Sequence, residues 1–222
     1  MIAQPQPEYH LSRPDITDAD VAAVVAVLKS PYLALGPKLS AFEEAIASYV
    51  GRKCAVAVNS GTSGLHLAVR ALGLADGDEV LTSPFSFVAS ANCALFERAV
   101  PRFVDIDPDT LNLDASKLEK AVTDKTRAII PVDIFGLPCD MDAVNDVARK
   151  HGLAVIEDAC EAIGATYKGK KAGSFGEVAV FAFYPNKQMT TGEGGVLVTR
   201  YRNRPQRALD EKPGALRLGR MA

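Results

Sequence analysis

Lys187 lies in the run Phe183-Tyr184-Pro185-Asn186-Lys187-Gln188-Met189-Thr190-Thr191-Gly192-Glu193-Gly194-Gly195, between an apolar segment and a Gly-rich turn. That placement keeps an amine partly out of water, and a partly desolvated lysine amine can attack a carbonyl carbon to form a Schiff base. A solvated loop lysine has the same local sequence, so residues elsewhere must decide. Three other runs bear on it. Asn59-Ser60-Gly61-Thr62-Ser63-Gly64 reads as a strand-to-helix turn whose free amides and helix N-terminus suit a phosphate, or in which Ser60 is simply an N-cap. Pro84-Phe85-Ser86-Phe87-Val88 sets an aromatic just past a strand end, where Phe87 is either core or a platform for a flat heteroaromatic ring. Val155-Ile156-Glu157-Asp158-Ala159-Cys160-Glu161 closes an apolar strand with two acids. Either these cap a turn or, since a buried carboxylate is costly alone, one of them has a cationic partner.

The elements that must position these residues follow from pattern. Residues 18–29 read as a helix after the N-cap Thr17, ended by Ser30-Pro31, and residues 38–49 as a second, stopped at Gly51. β-Branched runs then predict seven strands, at 54–58, 79–83, 101–105, 127–132, 153–157, 178–182 and 195–199. Helical patterns at 62–72, 86–97, 114–122 and 140–151 alternate with the early strands, which predicts a largely parallel sheet with helices on both faces. Only twelve residues separate the last two strands, with a proline and glycines among them, so the last strand should run antiparallel. The expected fold class is α/β, a three-layer α/β/α arrangement around a mixed, mostly parallel seven-stranded sheet. All four informative runs then fall at the carboxyl ends of strands, where open α/β sheets gather their ligand sites.

Composition narrows the partner. The chain has 222 residues, 48% hydrophobic and 23% charged, which fits one globular domain or at most two. Its net charge of −2 gives no global attraction to nucleic acid or to an anionic membrane, and a small-molecule ligand is expected. Cys54, Cys93, Cys139 and Cys160 are widely spaced, without metal-ligand spacing, and read as buried reduced thiols. No run resembles a signal peptide or reaches a membrane span, so a cytoplasmic protein is expected. After Thr199 come seven basic residues against two acids, leaving −7 on the preceding residues. That basic tail reads either as a nucleic-acid arm or, better, since no apolar period accompanies the charges, as a disordered or non-native terminus.

An amine, a carboxylate, an aromatic face and a phosphate cradle at one sheet edge are the four things pyridoxal 5'-phosphate (PLP) needs. The segments quoted above, with Phe135-Gly136-Leu137-Pro138-Cys139-Asp140 and Ala162-Ile163-Gly164-Ala165, resemble the DegT/DnrJ/EryC1/StrS family of sugar aminotransferases, from about Leu11 to Thr199. The resemblance implies the large domain of PLP transferases of fold type I. It implies Lys187 as the Schiff-base lysine and proton carrier, Asp158 on the pyridine nitrogen, and Phe87 stacked on the ring. It places Thr62 and Ser63 at the phosphate and Glu161 near the phenolic oxygen; His66, one turn further into the helix, is read as packing.

The implied reaction moves an amino group, usually from L-glutamate, to a nucleotide-linked keto-deoxysugar, in a homodimer making amino sugars for polysaccharide or a glycosylated metabolite. A dehydratase branch of the family replaces the lysine, often by His, and Lys187 argues against it. Two departures stand out. Ala182 occupies a position where many members have a phosphate-binding Ser. The family's C-terminal small domain is also missing, which implies an N-terminal segment (1–50), a PLP-binding large domain (51–199) and a basic tail (200–222) of a truncated or frame-shifted chain. The other reading is therefore a catalytically inactive PLP-binding or dimerisation fragment.

Overall fold

The computed structural model describes residues 13–201. The expectations for the N-terminal run and for the basic tail from residue 202 on fall outside these residues. Arg200 and Tyr201 are described, and both join the fold: Arg200 pairs with Glu177 at 2.5 Å, and Tyr201 packs against the core.

Two helices come first. α1 (Asp18–Leu28) starts at a capping box in which Thr17 and Asp20 cap each other, and it buries no side chain among the described residues. α2 (Pro37–Val50) begins with proline, where the missing N–H costs nothing, and ends at Gly51 in the left-handed conformation. The alternation then runs β1 (Cys54–Val58), α3 (Gly61–Ala71), β2 (Glu79–Thr82), α4 (Ala89–Leu95), β3 (Val100–Phe103), α5 (Ala115–Ala121), β4 (Thr126–Ile130), α6 (Met141–His151) and β5 (Ala154–Asp158). A short hairpin, β6 (Thr166–Tyr167) and β7 (Lys170–Lys171), precedes β8 (Val178–Ala182) and β9 (Gly195–Thr199).

The seven expected strands form one sheet in the order β1-β9-β8-β5-β4-β2-β3. β9 is antiparallel to both neighbours while the other pairings are parallel, as the short connection from β8 requires. Neighbouring residues on each strand face opposite layers. Val80, Ile130, Ile156 and Val180 meet α3 and α4 on one side. On the other, Leu81, Ile129 and Val155 meet α5 and α6, while Phe181, Val196 and Val198 meet α2. Both faces are covered, so the strands read as continuous apolar runs.

Three details differ from the sequence expectation. The 86–97 helix is shorter: α4 begins at Ala89, without a side-chain cap, and leaves Phe87 outside the helix. The β6–β7 hairpin was not expected; it turns on Lys168 and Gly169, both at positive φ, with two-residue strands too short to show alternation. The four cysteines are free, but Cys54 and Cys160 are only half-buried, unlike Cys93 and Cys139. Burial, reinforced by the charge of Asp158, pushes the Cys93 thiol up to about 12, which makes it inert. No helix among the described residues is long and apolar enough to cross a membrane.

Candidate active site

Because β9 alone is antiparallel, the carboxyl ends of β1, β2, β4, β5 and β8 share one edge of the sheet, and a cavity of about 560 Å³ opens there. Its volume is that of a cofactor-sized pocket. Thr62, Phe87, Asp158, Glu161 and Lys187 all line it. Ser63 is not among the lining residues: its amide donates to Ser60 Oγ at 3.1 Å, and its hydroxyl lies 3.1 Å from the same atom. Ser60 is therefore the N-cap of α3 and a wall of the cavity at once.

The lysine loop leaves β8 and returns into β9. It is closed by the Phe183 amide on the Gly194 carbonyl (2.9 Å) and by the Thr191 amide on the Phe183 carbonyl (3.0 Å). The Lys187 amide donates to the Tyr184 carbonyl at 2.9 Å, a tight turn that directs the side chain back into the cavity, where it is 16% exposed. Its Nζ donates to Glu161 Oε1 at 2.8 Å. The other Glu161 oxygen accepts the Phe135 amide at 2.9 Å, and Phe135 holds the left-handed conformation (φ 51°) that aims this amide. Burial works to raise the Glu161 carboxyl, but the Lys187 hydrogen bond, the Phe135 amide and the lysine's charge together hold it below the usual carboxylate range. The chemistry available is an amine held beside its own counter-charge, facing a cavity.

Asp158 ends β5 at the base of the cavity and is 5% exposed. Its Oδ2 accepts from Ser90 Oγ at 2.6 Å and its Oδ1 from the Cys160 amide at 3.3 Å. The expected cationic partner is not a direct one for either acid. Glu157, fully buried on the opposite side of β5, accepts the amides of Gly173, Phe175 (3.0 Å) and Gly176 (3.4 Å). The nearby cation is Arg52, whose guanidinium donates to the Gly173 and Gly176 carbonyls at 2.8 and 2.7 Å and acts on Glu157 through space. Backbone amides do what a salt bridge was expected to do.

Phe87 is at the mouth and 74% exposed, so it is a rim aromatic and not core. His66 lies away from the cavity, with Nε2 2.7 Å from Glu97 Oε1 and its ring edge-on to Phe96. Sequence reasoning missed Ser90, which reaches Asp158 without lining the cavity, and the lining residues Tyr184, Asn186 and Glu193, which flank Lys187 in a run already singled out.

Two glycines permit the close approach of β9, α3 and β8. A Cβ on Gly61 would stand 2.8 Å from the Ala182 Cβ and 3.0 Å from the Cys160 sulfur. One on Gly195 would stand 2.7 Å from the Ser60 carbonyl and 2.8 Å from the Gly61 nitrogen, all backbone. Gly195→Ala is expected to cost about 1–3 kcal/mol, as overpacking against a rigid neighbour does, seen as a lower urea midpoint. An unchanged midpoint would show that the Ser60 turn gives way freely.

The fold and the cavity define an α/β protein of the kind that builds ligand sites at strand carboxyl ends, with a lysine–glutamate pair in the site. More particularly, the chain belongs to the DegT/DnrJ/EryC1/StrS aminotransferase family, whose model matches residues 14–210, beyond Thr199 where the resemblance was expected to stop. It is 54% identical over 158 residues to the GDP-perosamine synthase of Caulobacter vibrioides, covering 71% of this chain and 43% of the relative. It is similar to Helicobacter pylori PseC, an aminotransferase involved in the biosynthesis of pseudoaminic acid (37% identity, TM-score 0.85, 88% of this chain and 53% of that one). It is also similar to E. coli GDP-4-keto-6-deoxy-D-mannose-3-dehydratase with bound hydrated PLP (33% identity, TM-score 0.83, 87% and 51%). The chain spans about half the length of the curated relatives it matches.

Proposed function

We propose that residues 51–199 form the PLP-binding domain of a sugar aminotransferase that moves an amino group from L-glutamate to a nucleotide-linked keto-deoxysugar. One observation carries this reading: the Lys187–Glu161 pair and the Asp158 carboxylate line a single cavity with the N-terminus of α3. The donor set fits PLP. The first-turn amides of α3 at Gly61 and Thr62 suit the phosphate; Asp158, at the base, suits a protonated ring nitrogen; Phe87 supplies an aromatic face. Ala182 offers only a methyl at the phosphate end, so Thr62 supplies the hydroxyl there, the Ser60 proton going to Ser63 Oγ at 3.1 Å.

When bound, PLP supplies an electron sink for the carbon that loses a proton. The chain's own residues do the rest. Lys187 Nζ takes and returns the proton, and Glu161 keeps that amine directed into the cavity. Asp158 holds the proton of the ring nitrogen in place. The exposed aromatics at the mouth, Phe87 and Tyr184, would exclude water once a second copy covers them, which supports a homodimer. Lys187 weighs against the dehydration named for the E. coli relative.

The alternative reading is that this stretch binds PLP without turnover. Incubation with PLP followed by L-glutamate separates the two. A visible absorption band that Lys187→Ala abolishes, and that glutamate converts to that of the aminated cofactor, is the expected result. A band that glutamate leaves unchanged favours binding alone, and no band in the wild type overturns both readings.

A further inference from the structure

Two hydroxyls form a chain that ends on the Asp158 carboxylate. Ser90 is 1% exposed, and its Oγ sits 2.6 Å from Asp158 Oδ2, in the range of charge-assisted O–H···O bonds. Ser86 lines the cavity, and its Oγ sits 2.6 Å from Ser90 Oγ. A carboxylate only accepts, so the single Ser90 proton goes to Asp158, and the proton between the two serines comes from Ser86. The Phe87 carbonyl, 3.3 Å from Ser90 Oγ, is left with the Ser90 amide at 3.2 Å. The chain of donors therefore has one direction, from Ser86 through Ser90 to the carboxylate.

We propose that Ser90, backed by Ser86, is a positioning residue that fixes the Asp158 carboxylate to receive the N–H of a protonated heteroaromatic ring. Both serines lie on the segment that also carries Phe87, so one short stretch sets the carboxylate below the ring and the aromatic against it. Asp158 Oδ1 accepts the longer bond from the Cys160 amide, so without Ser90 the carboxylate loses its shortest bond among the described residues and is freer to rotate about its terminal torsion. This inference rests on the PLP reading above.

The test compares wild type, Ser90→Ala, Ser90→Thr and Ser86→Ala in three measurements: PLP affinity by equilibrium dialysis, the pH midpoint of the Lys187-dependent band, and the melting temperature without PLP. Ser90→Ala is expected to weaken PLP about tenfold, the loss of roughly one charge-assisted hydrogen bond, and to displace the pH midpoint. Ser90→Thr keeps the hydroxyl and is expected to restore both. Ser86→Ala is expected to move the midpoint in the same direction by less. If Ser90→Ala lowers only the melting temperature, with affinity and midpoint as in the wild type, the positioning role is overturned while the PLP reading stands. If Ser90→Ala does not fold, Ser86→Ala decides: a midpoint equal to the wild type overturns the proposal. Absence of the band in the wild type overturns the PLP reading itself.

Discussion

Glu157→Ala is expected to destabilise the protein by about 3–5 kcal/mol, a large share of the roughly 5–15 kcal/mol by which a domain is folded. The carboxylate accepts three backbone amides of the 173–176 loop, and the residues at two of those donors, Gly173 and Gly176, are buried. Alanine leaves all three without a partner, and each unsatisfied buried donor costs about 1–3 kcal/mol before relaxation. Arg52 then loses the negative charge that offsets its desolvation while still tied to the carbonyls of the same loop. Glu157→Gln retains an acceptor and is expected to cost markedly less. Urea unfolding measures both, and equal midpoints for Ala and Gln would show that the loop amides find other acceptors. A functional consequence follows from position. Glu157 and Asp158 are adjacent on β5 and point to opposite sides of the sheet, so loosening the strand on the loop side also loosens the carboxylate on the cavity side.

How much of this was legible in the chain depends on whether the signal is local. The seven strands were legible because each is a short apolar run bounded by turn residues, and the sense of β9 because twelve residues cannot hold a crossover helix. The convergence of Lys187, Asp158, Thr62 and Phe87 on one cavity was legible because each follows a strand end, and parallel strands bring their carboxyl ends to one edge. What stayed hidden depends on pairs far apart in sequence. Ser90 is 68 residues from Asp158, and Arg52 is 121 from Gly173; nothing in either local sequence names its partner. The rule that a buried carboxylate needs a cation also misled, since a loop rich in free amides serves as well. Ser63, in the same turn as Thr62, gives its amide to the Ser60 cap and does not line the cavity.

The same buried acid leads to a prediction about pH. Asp133 is fully buried; one of its oxygens accepts the Cys139 amide at 3.0 Å and the other has no donor among the described residues. Burial, and then the neighbouring Glu157 and Asp158 carboxyls, push the Asp133 carboxyl well above its usual range. Glu157 is itself raised by burial, against the pull of its three amides and Arg52. Two carboxyls this close in an apolar layer hold a proton that the unfolded chain gives up above about pH 4. The folded state therefore binds more protons in that window, and stability falls as pH rises from the unfolded pKa toward the folded one. Asparagine imitates a protonated aspartate: its oxygen can keep the Cys139 amide, and its NH₂ can donate toward Glu157. Asp133→Asn is thus expected to be more stable than the wild type at neutral pH. The gap should open above about pH 4 and widen by up to about 1.4 kcal/mol per pH unit until the folded pKa is passed. Urea midpoints taken between pH 4 and 8 measure it. Parallel curves for the two proteins would mean that Asp133 is ionised in the native state, with its charge met by a donor that enters from solvent.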